Sequence, residues 1–258
     1  MVNEPKVFCV GHGKTGTSSF GRLLAQLGYN HLSGPVLKGL TMSHLDSAPV
    51  LELAEKYDSF DDYPWPYLYE QLATRFPDAR FVLTTRRSTD RWLASLQKHV
   101  ERRGPIESHL LAFGSYTPSD WDSLKDLYET HNQNVREYFR GNPNFIEICI
   151  DDQGSWTRLL SFLNAPDIEP ETIPRVNTAT SDTPERTVHK LCKAGKFATA
   201  LQFAEKYESD HGELTSYLRA YLSDTLKKDH SHYRKFSERL RVITRRLAKQ
   251  PKRAALKR

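Results

Sequence analysis

Three stretches of the chain join a short apolar run to a helical stripe of apolar positions. KVFCV (Lys6–Val10) is apolar and rich in strand formers. Beyond a glycine-rich turn, Phe20, Leu23, Leu24 and Leu27 recur at helical spacing, and Gly28 closes the segment as a residue just past a helix would. ARFVLTT (Ala79–Thr85) is a second such run, followed by a helix from about Ser88 to Glu101 with Trp92, Leu93, Leu96 and Val100 on one face. NFIEICI (Asn144–Ile150) is a third, and Trp156, Leu159, Leu160 and Leu163 stripe a helix that starts near Ser155. Strands alternating with helices in this way predict an α/β fold whose parallel sheet is covered on both faces.

Between these units the pattern weakens. Asn30–Asp58 reads as short helices mixed with loop, and Pro64, Pro66, Pro118, Pro143, Pro166, Pro170 and Pro174 mark turns. Beyond Asp182 the periodicity is helical only, over 183–194, 196–209, 212–228 and 233–249. LCKAGKFATALQFAEKY (Leu191–Tyr207) has the spacing of a tetratricopeptide-type hairpin. One copy cannot bury a repeat core, so a helical hairpin packed on the sheet domain is the simpler expectation. These patterns divide the chain into a core over 1–180, a helical hairpin extension over 181–230 and a basic amphipathic helix with its tail over 231–258.

The chain has 258 residues, 38% of them hydrophobic and 11% aromatic, which excludes a disordered chain and supports a full core. No apolar run approaches the ~18–20 residues of a membrane span. The first residues enter a strand directly, with no basic region or cleavage site of a secretory signal. Cys9, Cys149 and Cys192 are too scattered for a disulfide framework or a zinc site. Together these features predict a cytoplasmic protein in a reducing compartment, with Cys9 and Cys149 as inert strand residues.

The net charge of +5 suggests a nucleic-acid binder, but its distribution argues otherwise. From Thr225 to Arg258 there are 13 Lys and Arg against Asp229 and Glu238, of totals of 37 basic and 32 acidic residues. Residues 1–224 therefore hold 24 basic and 30 acidic residues. The body is acidic and the basicity belongs to the tail, so no nucleic-acid partner is expected. In the tail, Phe236, Leu240, Ile243 and Leu247 form a narrow apolar stripe on an arginine-rich helix. That stripe suits packing on the body, with peripheral contact to an anionic membrane as the second option for 231–258.

The first strand runs into GHGKTGTSS, Gly11 to Ser19. Such a loop, between a strand and a helix, can aim its amides and the helix N-terminus at an anion. Gly11 and Gly16 keep the spacing of the nucleotide-hydrolase P-loop, but Thr17 stands where that pattern needs its lysine, and Lys14 lies inside the loop instead. An ammonium there, among the amides and hydroxyls of Thr15, Gly16, Thr17 and Ser18, suits a short anion bound without metal, such as a 5′-phosphosulfate.

Here the chain resembles the PAPS-dependent sulfotransferases, PAPS being 3′-phosphoadenosine-5′-phosphosulfate. K-T-G-T-S is similar to that family's 5′-phosphosulfate loop. FVLTTRRSTDRWLASL (Phe81–Leu96) is similar to its 3′-phosphate motif, an arginine at the strand end and a serine eight residues later, with Arg87, Trp92 and Ser95 in place. Asp61-Asp62-Tyr63-Pro64 with RFPDA (Arg75–Ala79), and SWTRLLSFLNAP with IPRVN (Ile173–Asn177), resemble the D-x-P run and the ending of one subgroup. The likeness covers about Lys6–Asn177. It departs at Ser19-Phe20, where many relatives carry an adenine-stacking tryptophan. The Arg-Lys-Gly that completes the 3′-phosphate site elsewhere is also missing, and Arg175, Arg186 and Lys190 are its possible substitutes.

The resemblance implies a P-loop-type three-layer α/β/α sandwich around a central parallel sheet, with a C-terminal helical extension. It also implies a metal-free in-line transfer of sulfate from PAPS to an acceptor hydroxyl. Lys14 would stabilise the leaving oxygen, Thr15–Ser18 would hold the 5′-phosphate, and Arg87 with Ser95 the 3′-phosphate. Asp62 matches the position of the general base, with His12 and His44 as alternatives; the adjacent Asp61 would point elsewhere in an extended backbone. Phe60, Tyr63, Trp65, Tyr67 and Tyr69 crowd around Asp62, and Tyr63 and Trp65 are the candidates for an acceptor wall. The acceptor would be a small-molecule, glycan or lipid hydroxyl. Two rival readings use the same loop: a nucleotide kinase or NTPase, and a non-enzymatic helical adaptor or polyanion-binding protein. Acceptor identity and oligomeric state lie beyond the sequence.

Overall fold

The structure, a computed structural model, describes residues 5–33, 47–165, 184–211, 216–227 and Arg234. His44, Arg175, the IPRVN segment and the basic helix expected over 233–249, Arg234 excepted, lie outside the described residues. The chain separates into two compact units, residues 1–102 with 106–181, and 103–105 with 182–258.

The first unit is built on five parallel strands: β1 (Val7–Cys9), β2 (His31–Ser33), β3 (Ser59–Asp61), β4 (Arg80–Thr85) and β5 (Phe145–Cys149), in the order β2-β3-β1-β4-β5. Its helices are α1 (Thr17–Gln26), α2 (Ser47–Glu55), α3 (Tyr69–Arg75), α4 (Thr89–Arg103), α5 (Glu107–Phe113), α6 (Trp121–Tyr138) and α7 (Ser155–Phe162). Alternate residues of the central strand separate two cores. Phe8 and Val10 join Phe60, Phe81 and Leu83 under Val50, Leu72 and Val135, from α2, α3 and α6. Val7 and Cys9 join Val82 and Ile148 under Phe20, Leu24 and Leu159, from α1 and α7. A sheet buried on both faces needs apolar residues at both parities, which explains why KVFCV and ARFVLTT read as continuous apolar runs. A third cluster packs Trp92, Leu93, Leu96 and Val100 of α4 on Leu124 and Tyr128 of α6.

The expected three layers and parallel sheet are present, and β1, β4, β5, α1, α4 and α7 fall close to their predicted places. Two strands were not expected. His31–Ser33 and Ser59–Asp61 are only three residues each, and the second is polar at both ends. Ser59 and Asp61 are nevertheless buried. His31 partners Ser59, its Nδ1 lying 2.7 Å from Ser59 Oγ, and its Nε2 stands 3.5 Å from Asp61 Oδ1, a charge contact to a carboxylate that makes no hydrogen bond among the described residues. Parallel pairing of His31 with Ser59 and Ser33 with Asp61, not local periodicity, makes these segments strands.

The second unit carries α8 (Pro184–Lys193), α9 (Phe197–His211) and α10 (Ser216–Leu226). Val188, Cys192, Ala200, Leu201, Ala204, Leu218 and Leu222 are buried. Arg186 and Lys190 lie on α8.

The chain reverses direction across the sheet beside β1: it passes from β1 to β2 and β3 on one side, then returns to β4 on the other. Open α/β sheets bind ligands at such a reversal, outside the carboxyl ends of the strands. That edge carries the Gly11–Gly16 loop, Asp62, Arg86–Arg87 and Asp151–Asp152.

Gly21 of α1 faces the buried pair, and a Cβ there would stand 2.3 Å from His31 Nε2 and 2.8 Å from Asp61 Oδ2. Gly21→Ala would gain helix propensity of about 0.5–1 kcal/mol, but overpacking costs about 1–3 kcal/mol. The expected outcome is net destabilisation in urea unfolding, with unchanged m-value.

Candidate active site

The loop after β1 is held from below. Thr15 is fully buried, and its hydroxyl donates to the His12 carbonyl at 2.5 Å and lies 2.6 Å from Thr84 Oγ1 on β4. His12 is also fully buried, with Nδ1 2.9 Å from the Tyr63 hydroxyl and its ring 4.2 Å from that of His131. His131 Nε2 lies 2.7 Å from the Val10 carbonyl, which can only accept, so that nitrogen carries the proton. Burial pushes His12 well below the ordinary histidine range, and His131 adds to the shift. Burial likewise lowers His131, against the Val10 carbonyl. From α4, Trp92 Nε1 donates to the Gly13 carbonyl at 3.0 Å while its ring stacks on Tyr128 at 4.3 Å.

Above this support the backbone turns through left-handed conformations at Lys14 (φ 74°) and Gly16 (φ 89°). A Cβ at Gly16 would come within 2.9 Å of Ile150 Cγ2, so glycine is required twice over. Among the described residues, the amides of Thr15, Gly16, Thr17 and Ser18 donate to no backbone carbonyl, and Gly16 caps α1. Four donors at a helix N-terminus beside a lysine form a nest for an oxyanion. Lys14 Nζ lies 3.2 Å from His99 Nδ1 of α4.

Asp62 approaches the same loop. A Cβ on Gly13 would lie 3.2 Å from Asp62 Oδ1, which accepts from the Tyr63 amide at 3.2 Å. Asp62 sits in the left-handed region (φ 63°) and its side chain is partly buried. Asp61, the end residue of β3, instead faces His31 and α1. Burial pushes the Asp62 carboxyl up, Asp61 adds to the rise, the Tyr63 amide and Lys14 oppose it, and the balance is about 7.

Arg86 and Arg87 follow β4. Arg86 Nε donates to Asp151 Oδ2 at 2.9 Å and its amide to the Tyr128 hydroxyl at 3.0 Å. The Arg87 amide also reaches Asp151 Oδ2, and its exposed guanidinium pairs with Asp152 at 3.2 Å. Beside them lies a recess of about 410 Å³ whose wall includes Arg86, Arg87, Ser88, Asn132 and Arg136. Asn132 Oδ1 is buried there with no partner among the described residues. Ser95 is not on that wall. It is partly buried on α4, on the same face as Trp92 and His99.

The structure therefore gathers Lys14, Gly16, Thr17, Ser18 and Asp62 around one loop, and sets Arg87 in a separate recess at the same sheet edge. Three expectations need correction. The Thr15 hydroxyl is consumed inside the protein, leaving only its amide for a ligand. Trp65 is fully buried against Phe60 at 4.6 Å in the core, so it cannot wall an acceptor pocket. Tyr63 is 3% exposed and supports His12 from beneath, which removes it from an acceptor wall as well. Cys149 is partly exposed, whereas Cys9 is buried with its thiol pushed up to about 12 by desolvation. Sequence reasoning missed His99 and His131. A histidine seven residues after Trp92, on the same helical face, was the one local signal for His99.

Residues 6–121, from β1 to the start of α6, match the family described as the sulfotransferase domain. This stretch of the chain is similar to that family. It contains Lys14, Asp62, Arg87 and Ser95, and the class of chemistry that the family's description names is sulfuryl transfer. No curated protein matches the chain. Among the described residues, no helix of this sulfotransferase domain or of the second unit is long and apolar enough to cross a membrane. No cluster of three or more His, Cys, Asp or Glu is placed to hold a metal ion among them either.

Asp62 titrates near 7 when folded and near the ordinary 3.8 when unfolded, so folding favours its protonated form. Its contribution to stability is then lost as pH rises from about 4 to about 7. Asp62→Asn should raise the melting temperature above pH 7, and the gain should shrink as the pH falls towards 4. Thermal scans across that range check this.

Proposed function

We propose that this protein transfers the sulfuryl group of PAPS to an acceptor hydroxyl without a metal. The observation that carries the reading is the nest of four amides, Thr15 to Ser18, opening at α1 beside Lys14 and Asp62. A 5′-phosphosulfate fits that donor set: amides and the Thr17 and Ser18 hydroxyls for the phosphate, and one ammonium for the bridging oxygen. Arg87 binds the 3′-phosphate in this reading. It is exposed and its partners, Asp151 and Asp152, are carboxylates that a stronger dianion can displace. Ser95, on the α4 face that carries Trp92 and His99 and outside the recess beside Arg87, joins Arg87 at the 3′-phosphate in this reading.

In the reaction Asp62 takes the proton of the acceptor hydroxyl as that oxygen bonds to sulfur. The bond from sulfur to the bridging oxygen breaks, and the charge left on that oxygen meets Lys14 and the nest amides. The amides are fixed before the reaction by Thr15, Trp92 and the start of α1, so they need no reorganisation when the charge develops. A carboxyl near 7 suits a base working at neutral pH, since half of it is ionised there. The acceptor is a small-molecule, glycan or lipid hydroxyl. The protein works in the cytoplasm, with 1–180 as its catalytic core and 181–230 and 231–258 as accessory helical segments.

Two outcomes test the reading. 3′-Phosphoadenosine-5′-phosphate (PAP) should raise the melting temperature without Mg²⁺, and Lys14→Met should weaken its binding by about 10–150-fold, the worth of one charge-assisted hydrogen bond. A response to ATP that requires Mg²⁺ would contradict it. In labelled-PAPS transfer to acceptor pools, wild-type activity should rise with pH to a plateau with its midpoint near 7. Asp62→Asn should lose about 10²–10⁴-fold on that plateau, and the loss relative to wild type should shrink as the pH falls below 7.

A further inference from the structure

Helix α4 grips the loop at two points on one face, and the second grip has no role in the mechanism above. Trp92 Nε1 donates to the Gly13 carbonyl at 3.0 Å, and seven residues later His99 Nδ1 stands 3.2 Å from Lys14 Nζ. Two helical turns separate the contacts, matching two successive loop residues, one held by its backbone and the next by its side chain. His99 is itself braced. Its ring meets His109 edge-on at 5.5 Å, and His109 is buried, with Nδ1 3.0 Å from the Tyr116 carbonyl.

An ammonium can only donate, so His99 Nδ1 must accept. The ring is then the neutral tautomer with its proton on Nε2. A lysine on a free four-carbon stem samples many rotamers, and ordering it is a cost that binding of an anion would otherwise carry. The left-handed backbone at Lys14 sets where the stem begins, and His99 contacts its end. We infer that His99 is a positioning residue that holds the Lys14 ammonium in one place beside the loop before the anion arrives. This rests on the sulfuryl-transfer reading for the identity of that anion, but the contact itself does not.

Two measurements test it. In ¹⁵N NMR the His99 ring should show the Nε2–H tautomer, and its Nδ1 resonance should move in Lys14→Met. An unchanged resonance overturns the inference whatever the protein binds. In calorimetric titration with PAP, His99→Leu should weaken binding about tenfold. His99→Asn, whose amide oxygen can accept where Nδ1 did, should restore it to within about threefold. Equal loss in both variants, with unchanged melting temperatures, overturns the inference. If wild-type protein ignores PAP, the donor reading falls while the resonance still decides the role of His99.

Discussion

Everything at the site depends on the burial of β1 between two strands and two helical layers. Val7, Phe8, Cys9 and Val10 are all 0% exposed, so the strand cannot shift without opening both cores. Its pairing with β3 on one side and β4 on the other places the ends of all three strands at one edge. The loop leaving β1 therefore emerges between Asp62 and Arg86, whatever their distance along the chain. A fixed exit point is what holds the unpaired amides of a glycine-rich turn in one place.

The loop above it runs against local preference. Lys14 and Asp62 are non-glycine residues held in the left-handed region, a conformation that costs of order 1 kcal/mol or more each. Buried side chains beneath the loop compensate: Thr15 on His12 and Thr84, Trp92 on Gly13, and His12 on Tyr63. Most of these supporting groups are uncharged. The charged ones, Lys14 and Asp62, remain at the margin, where burial raises the carboxyl without removing its access to a proton acceptor role. Support below and charge above is an arrangement that separates rigidity from reactivity.

Much of this was readable in the chain. Apolar runs at both parities announced buried parallel strands, and the helical stripes announced α1, α4 and α7. Aromatic crowding around Asp62 was misread at Trp65 and Tyr63. An aromatic next to a candidate base looks the same in sequence whether it faces a ligand or a core. Trp65 packs within a cluster that includes Phe60 and the distant Phe8, so only assembly could assign it.

What the sequence alone determined was the set of local, periodic features: the strand–loop–helix units, the amides that a helix start must leave unpaired, and the split between an acidic body and a basic end. The tertiary structure decided what depends on contacts between distant segments. It made strands of His31–Ser33 and Ser59–Asp61, because three residues carry no period and only pairing defines them. It spent the Thr15 hydroxyl on Thr84, 69 residues away. It also brought His99 to Lys14 across 85 residues, a contact that depends on where α4 packs. Periodicity is a property of neighbours along the chain, whereas the partner of a hydroxyl or an ammonium is fixed by the packing of the whole domain.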